Sequence, residues 1–82
     1  MWQVVVTNKL KEYREQKMHL ASNSTDWTQE TVAIRVGVTR RTIIAIESGV
    51  YNPTMELAFR LARLFNVRID DLFQFEGDEN EY

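Results

Sequence analysis

The sequence contains no cysteine and a single histidine, His19. Without thiols there is no disulfide framework and no cysteine-ligated zinc site, and the chain suits a reducing compartment such as the cytoplasm. One histidine without a second ligand makes no metal site. No nucleophile is paired with a base and no glycine-rich phosphate loop is present, so an enzyme is not expected, and no cofactor or small-molecule ligand is implied. No apolar run approaches the roughly 20 residues of a membrane span, and no signal peptide is visible. Proline occurs once and glycine three times in 82 residues, so each marks a particular break in the chain. A chain of this length forms one domain and buries only about 60–65% of its unfolded surface, so a dimer interface would help it.

Net charge is −2, which at first argues against nucleic acid. The distribution reverses that inference. Residues 1–69 carry all ten Lys and Arg beside six acids, a balance of +4, and residues 70–82 carry the other six acids, a balance of −6. The body is basic and the tail acidic, so the average hides the field that DNA would feel.

What the chain does have is the stretch Thr28 to Gly49, TQETVAIRVGVTRRTIIAIESG. Thr28 is an N-cap, and Val32, Ala33 and Val36 repeat at helical spacing through Gln29–Val36. Gly37 stops this helix because glycine alone enters the left-handed region without a Cβ penalty. Val38 plugs the corner, Thr39 caps a second helix over Arg40–Ser48, and Gly49 ends it. Two short helices around a glycine turn predict a helix-turn-helix unit. On a wheel of the second helix, Ile43, Ile46 and Glu47 share one face, while Arg41, Ile44, Ala45 and Ser48 share the opposite one. Arg40 stands at the N-terminal end. The outward set suits a DNA major groove, since arginine reaches guanine with two hydrogen bonds and Ala or Ile meets a thymine methyl. Arg40, Arg41, Ile44 and Ala45 are therefore the expected base-reading residues.

The pattern TQE…A…VGVTR.TI..IE.G.YNP…L...LA…F.V..D.LF is long and specific. It resembles the Cro/C1-type (XRE) helix-turn-helix domain of phage repressors and many prokaryotic regulators, over nearly all of Leu10–Phe73 with one insertion. The resemblance implies a mostly α, five-helix, lambda-repressor-like fold that binds double-stranded DNA. It implies phosphate contacts from Gln29, Thr39, Tyr51, Asn52 and Thr54, with Ser48 at the end of the recognition helix joining that set. It also implies an ion pair between Arg14 and Glu47. The wheel independently puts Glu47 inward, where a lone carboxylate would be costly. A homodimer acting as a repressor on a palindromic operator completes the expectation. Its interface would use the apolar residues left over around the fourth helix: Met55, Phe59, Leu64, Val67 and Ile69. An antitoxin-like or antagonist module, with a protein as its main partner, is the alternative.

The remaining segments are arranged around that unit. MWQVVVT at the start alternates Trp2, Val4 and Val6 on one face and is expected to pair antiparallel with Phe73–Glu76 as a small ribbon. A first helix begins near Asn8 as N-cap, faces the core with Leu10 and Tyr13, and runs through Lys17, with continuation to Leu20 or Ala21 left open. Met18–Trp27 is the insertion, with Ser22–Asp26 expected as a polar loop and Trp27 as a core residue against the second helix. Thr54 caps a fourth helix over Met55–Phe65, whose Leu57, Ala58, Leu61, Ala62 and Phe65 are at core spacing. Arg60 and Arg63 are expected in solvent. Asn66 ends the helix, and Asp70 is expected to cap a last short one carrying Leu72 and Phe73. Residues 1–76 thus form one domain, and 77–82 an acidic, disordered tail.

Overall fold

Helix ends set this architecture, and most are written locally. In the computed structural model, which describes residues 4–77, a strand β1 (Val4–Asn8) leads into α1 (Leu10–Leu20) and a 3-10 turn over Ser24–Trp27. Then come α2 (Gln29–Val36), α3 (Arg40–Glu47), α4 (Met55–Phe65), α5 (Ile69–Leu72) and a strand β2 (Phe73–Gly77). Thr28, Thr39 and Thr54 each accept a hydrogen bond from the backbone N–H three residues on, at 3.2, 3.3 and 3.2 Å. Each such cap is worth about 1 kcal/mol against alanine. Gly37 leaves α2 at φ 81°, and the N–H groups of Gly37 and Val38 both close on the Ala33 carbonyl at 2.9 Å. Asn66 ends α4 in the same left-handed region, at φ 56°.

The core lies between α1, α2, α3, α4 and α5. Leu10, Val32, Ala33, Val36, Ile43, Ile46, Leu57, Leu61, Ala62, Phe65 and Leu72 form one buried cluster, with Tyr13, Val38 and Phe73 packed on its margin. α3 contributes only the two isoleucines, so its opposite face is left to solvent. The two strands pair antiparallel, with Val6 opposite Phe75, Thr7 opposite Gln74 and Asn8 opposite Phe73. The ribbon is anchored to the helices where the Lys9 N–H meets the Leu72 carbonyl at 2.9 Å.

Several local expectations change. α1 continues to Leu20, with Ala21 as its C-cap. The polar loop over Ser22–Asp26 contains a 3-10 turn, started by the Asn23 side chain accepting from the Thr25 N–H at 3.1 Å. Trp27 is only half-buried. Its ring lies 5.4 Å from that of Phe65 on α4, and Lys17 and Arg35 stand over it at 5.5 and 5.2 Å. It therefore covers the core edge rather than entering it, with two cations within reach of its π system. Arg60 is not simply solvated, because its Nη1 donates to the Val36 carbonyl at 3.2 Å and so closes the end of α2. Asp70 does not cap α5. That helix starts after Arg68, whose N–H is held by the Asp71 carboxylate at 3.1 Å. Gly77 belongs to β2, and the rest of the acidic tail, like Met1–Gln3, lies outside the described residues.

Candidate nucleic-acid interface

Two hydrophobic anchors and one ion pair fix the orientation of α3. Ile43 and Ile46 are fully buried. Beside them Arg14 of α1 grips Glu47: its Nε donates to Oε2 at 2.6 Å and its Nη2 to Oε1 at 3.2 Å. Both side chains are below a tenth exposed, at 9% and 5%. The third guanidinium nitrogen of Arg14 faces the Met18 sulfur at 3.3 Å and the Trp27 carbonyl at 3.4 Å, so its donors are engaged. Among the described residues no buried side-chain nitrogen or oxygen lacks a partner. A charge pair this buried is costly to break because the survivor is left without water.

The network extends to the N-terminal end of α3. Gln29 donates from Nε2 to Glu47 Oε1 at 3.0 Å, and its own Oε1 accepts from Arg40 Nε at 3.3 Å. Gln29, expected from the resemblance as a phosphate contact, thus joins the two ends of α3 through one amide. At the other end, Asn8 Nδ2 donates to the Ile46 carbonyl at 2.9 Å while Asn8 Oδ1 receives the Leu10 N–H at 3.1 Å. Asn8 was expected only as a cap of α1; it sits at the end of β1 and holds α3 as well. Sequence alone gave no signal for this second bond, whose partner is 38 residues away.

The outer face of α3 is open. Arg40, Arg41 and Ser48 are exposed, Ile44 is 41% exposed and Ala45 is half-buried. α3 has no acid in its first turn, and its one acid, Glu47, is inside and paired. Positive charge therefore dominates this face. Around it stand the exposed residues Thr39, Tyr51, Asn52 and Thr54. The loop after Gly49 folds back on the helix end, with the Val50 and Tyr51 N–H groups both reaching the Ala45 carbonyl at 3.0 and 3.1 Å. Of the apolar residues expected at an interface, Met55 and Phe59 are 70% and 54% exposed, whereas Leu64, Val67 and Ile69 are half-buried against the core margin. No group of three or more His, Cys, Asp or Glu residues among the described residues could hold a metal ion, and no described helix is long and apolar enough to cross a membrane.

A family model described as helix-turn-helix matches residues 23–72. A helix-turn-helix-type transcriptional regulator of Methanocaldococcus jannaschii is 49% identical over 72 residues, covering 88% of this chain and 97% of that one. The chain belongs to the XRE-type helix-turn-helix family. Further relatives are a regulator of Archaeoglobus fulgidus, 54% identical over 52 residues (63% of this chain, 74% of that one), and YgzD of Bacillus subtilis, 38% identical over 52 residues (63% and 79%). As an XRE-type protein it carries the DNA-binding domain of a transcription regulator. In this XRE-type domain α2 and α3 are the helix-turn-helix pair, and the matched segment holds every α3 residue named above.

Proposed function

We propose that this chain is a sequence-specific, homodimeric repressor that reads a palindromic operator through the major groove, acting in the cytoplasm and without catalysis. The observation that carries it is the division of α3. Its inner side is locked by Ile43, Ile46 and the Arg14–Glu47 pair, and its outer side offers Arg40, Arg41, Ile44 and Ala45. Rigid presentation matters because base readout tolerates little error in register. Thr39, Tyr51, Asn52 and Thr54, with Ser48 and the open flank of Gln29, supply backbone contacts that set position without reading sequence. Met55 and Phe59, with Leu64, Val67 and Ile69, form the twofold contact. It places two recognition helices about 34 Å apart, on successive major-groove turns.

Selection of bound duplexes from a random DNA pool tests this. The expected product is an inverted repeat with half-sites about ten base pairs apart, centre to centre. A second reading, an antitoxin-like or antagonist module whose main partner is another protein, draws on the same exposed Met55 and Phe59. A chain that enriches no sequence and stays monomeric would favour it.

A further inference from the structure

The polar groups along the outer side of α3 are almost all engaged within the molecule. Arg40 donates through Nε to Gln29. The Ser48 hydroxyl donates to the Ala45 carbonyl at 3.1 Å. The hydroxyls of Thr39 and Thr42 face each other at 3.2 Å, and the Thr39 oxygen also accepts from the Thr42 N–H. Arg41 is the exposed guanidinium of α3 for which no intramolecular hydrogen bond is present among the described contacts. One turn further on, the same face continues with Ile44, which carries no donor or acceptor, at 41% exposure. Ile44 thus leaves a large part of its apolar side chain open on the same face as Arg41.

Resting on the DNA-binding reading above, we infer that Ile44 makes this protein a reader of pyrimidine 5-methyl groups. Each half-site holds one guanine contacted by Arg41 and, within one or two base pairs of it, one thymine whose methyl packs against Ile44. The spacing follows from the helix: three residues advance about 4.5 Å along the axis, against about 3.4 Å per base step. The thymine methyl is the apolar feature of the major-groove edge, and it is what an aliphatic side chain recognises there. Cytosine methylated at C5 presents the same group at the same place, so it would restore part of what unmethylated cytosine loses.

The test uses the full chain and the operator obtained by selection. Each thymine is replaced in turn by uracil, which keeps every hydrogen bond and removes only the methyl. At one position per half-site, adjacent to the Arg41 guanine, affinity is expected to fall about fourfold, the ~0.8 kcal/mol that burying one methyl group contributes. Ile44→Ala, at an exposed position that leaves the fold intact, should bring that ratio close to one, and Arg41→Ala should leave it unchanged. A 5-methylcytosine at the same position should bind more tightly than cytosine. The inference fails if no thymine-to-uracil change matters, or if the effect persists unaltered in Ile44→Ala. If selection enriches no sequence at all, it is the DNA-binding reading that has failed instead.

Discussion

Two arginines of this chain have opposite environments and opposite expected consequences. Arg41 is exposed on α3, and among the described residues its side chain is in no hydrogen bond or ion pair. Arg41→Ala should therefore leave thermal stability within about 0.5 kcal/mol of the parent. It should cost ~1–3 kcal/mol on the selected operator while relaxing preference at one base position. Binding isotherms on the operator and on scrambled DNA decide this, and equal loss on both would remove the base-reading role. Arg14 is buried and bidentate to Glu47. Arg14→Ala strands a carboxylate that retains only the Gln29 amide, so about 3–5 kcal/mol of stability should be lost in urea unfolding. The double change Arg14→Met with Glu47→Leu should recover most of that loss, since the penalty belongs to the unpaired charge. It should still bind DNA less well, because Gln29 then has no carboxylate to hold and Arg40 loses its rest. Recovery of both stability and affinity would mean that the network does not position α3.

At the scale of the element, the turn between α2 and α3 depends on two neighbours far apart in sequence. Gly37 and Gly49 both stand at φ 81°, a region that costs an L-residue about 1–2 kcal/mol. They differ in surroundings. A Cβ on Gly37 would meet Arg60 Nη1 at 3.3 Å, whereas one on Gly49 would meet nothing within 4 Å. That same Arg60 nitrogen holds the Val36 carbonyl. Gly37→Ala is thus expected to cost more stability than Gly49→Ala, and the excess should vanish in an Arg60→Ala background. Equal losses from the two single changes would show that the guanidinium yields freely.

The same turn shows what a sequence discloses and what it withholds. The three threonine caps, the two glycines, the limits of α2 and α4 and the inward isoleucines were legible because each depends on residues within one or two turns of itself. The terminal ribbon was legible from alternation at both ends of the chain. The further bonds of Gln29, Arg60 and Asn8 were not legible, because they run to partners 11 to 38 residues away and only packing brings those partners near. The start of α5 was misplaced by two residues for a related reason. Asp70 is the acid that local sequence suggests as the cap, but the helix begins two residues earlier, where the Asp71 carboxylate reaches back to the Arg68 N–H. Trp27 was expected inside because it stands where the resemblance has leucine. The larger ring instead spans the edge of the core, with Lys17 and Arg35 above it.

For the whole molecule the question is how a chain with a formal charge of −2 holds to a polyanion. The opposed balances of residues 1–69 and 70–82 mean that net charge says little about the face carrying α3. Affinity should fall steeply with salt, with a slope of about −0.9 per phosphate neutralised. Asn52→Ala should weaken binding to all sequences alike. A short contact face on each subunit reads too few bases to be selective, and the proposed twofold assembly supplies the second half-site. Phe59 is the residue to change, because it is 54% exposed on α4 and its replacement does not disturb the buried cluster. Phe59→Glu puts a charge into an apolar contact twice, once from each copy, and the two charges then face one another across the axis. Sedimentation should show the variant as a monomer with an unchanged far-ultraviolet circular dichroism spectrum. Its operator affinity should drop more than tenfold, and its preference for half-sites one helical turn apart should disappear. A variant that remains dimeric, or that keeps the spacing preference, would place the twofold contact on some other face and leave the exposed side of α4 free for a different partner.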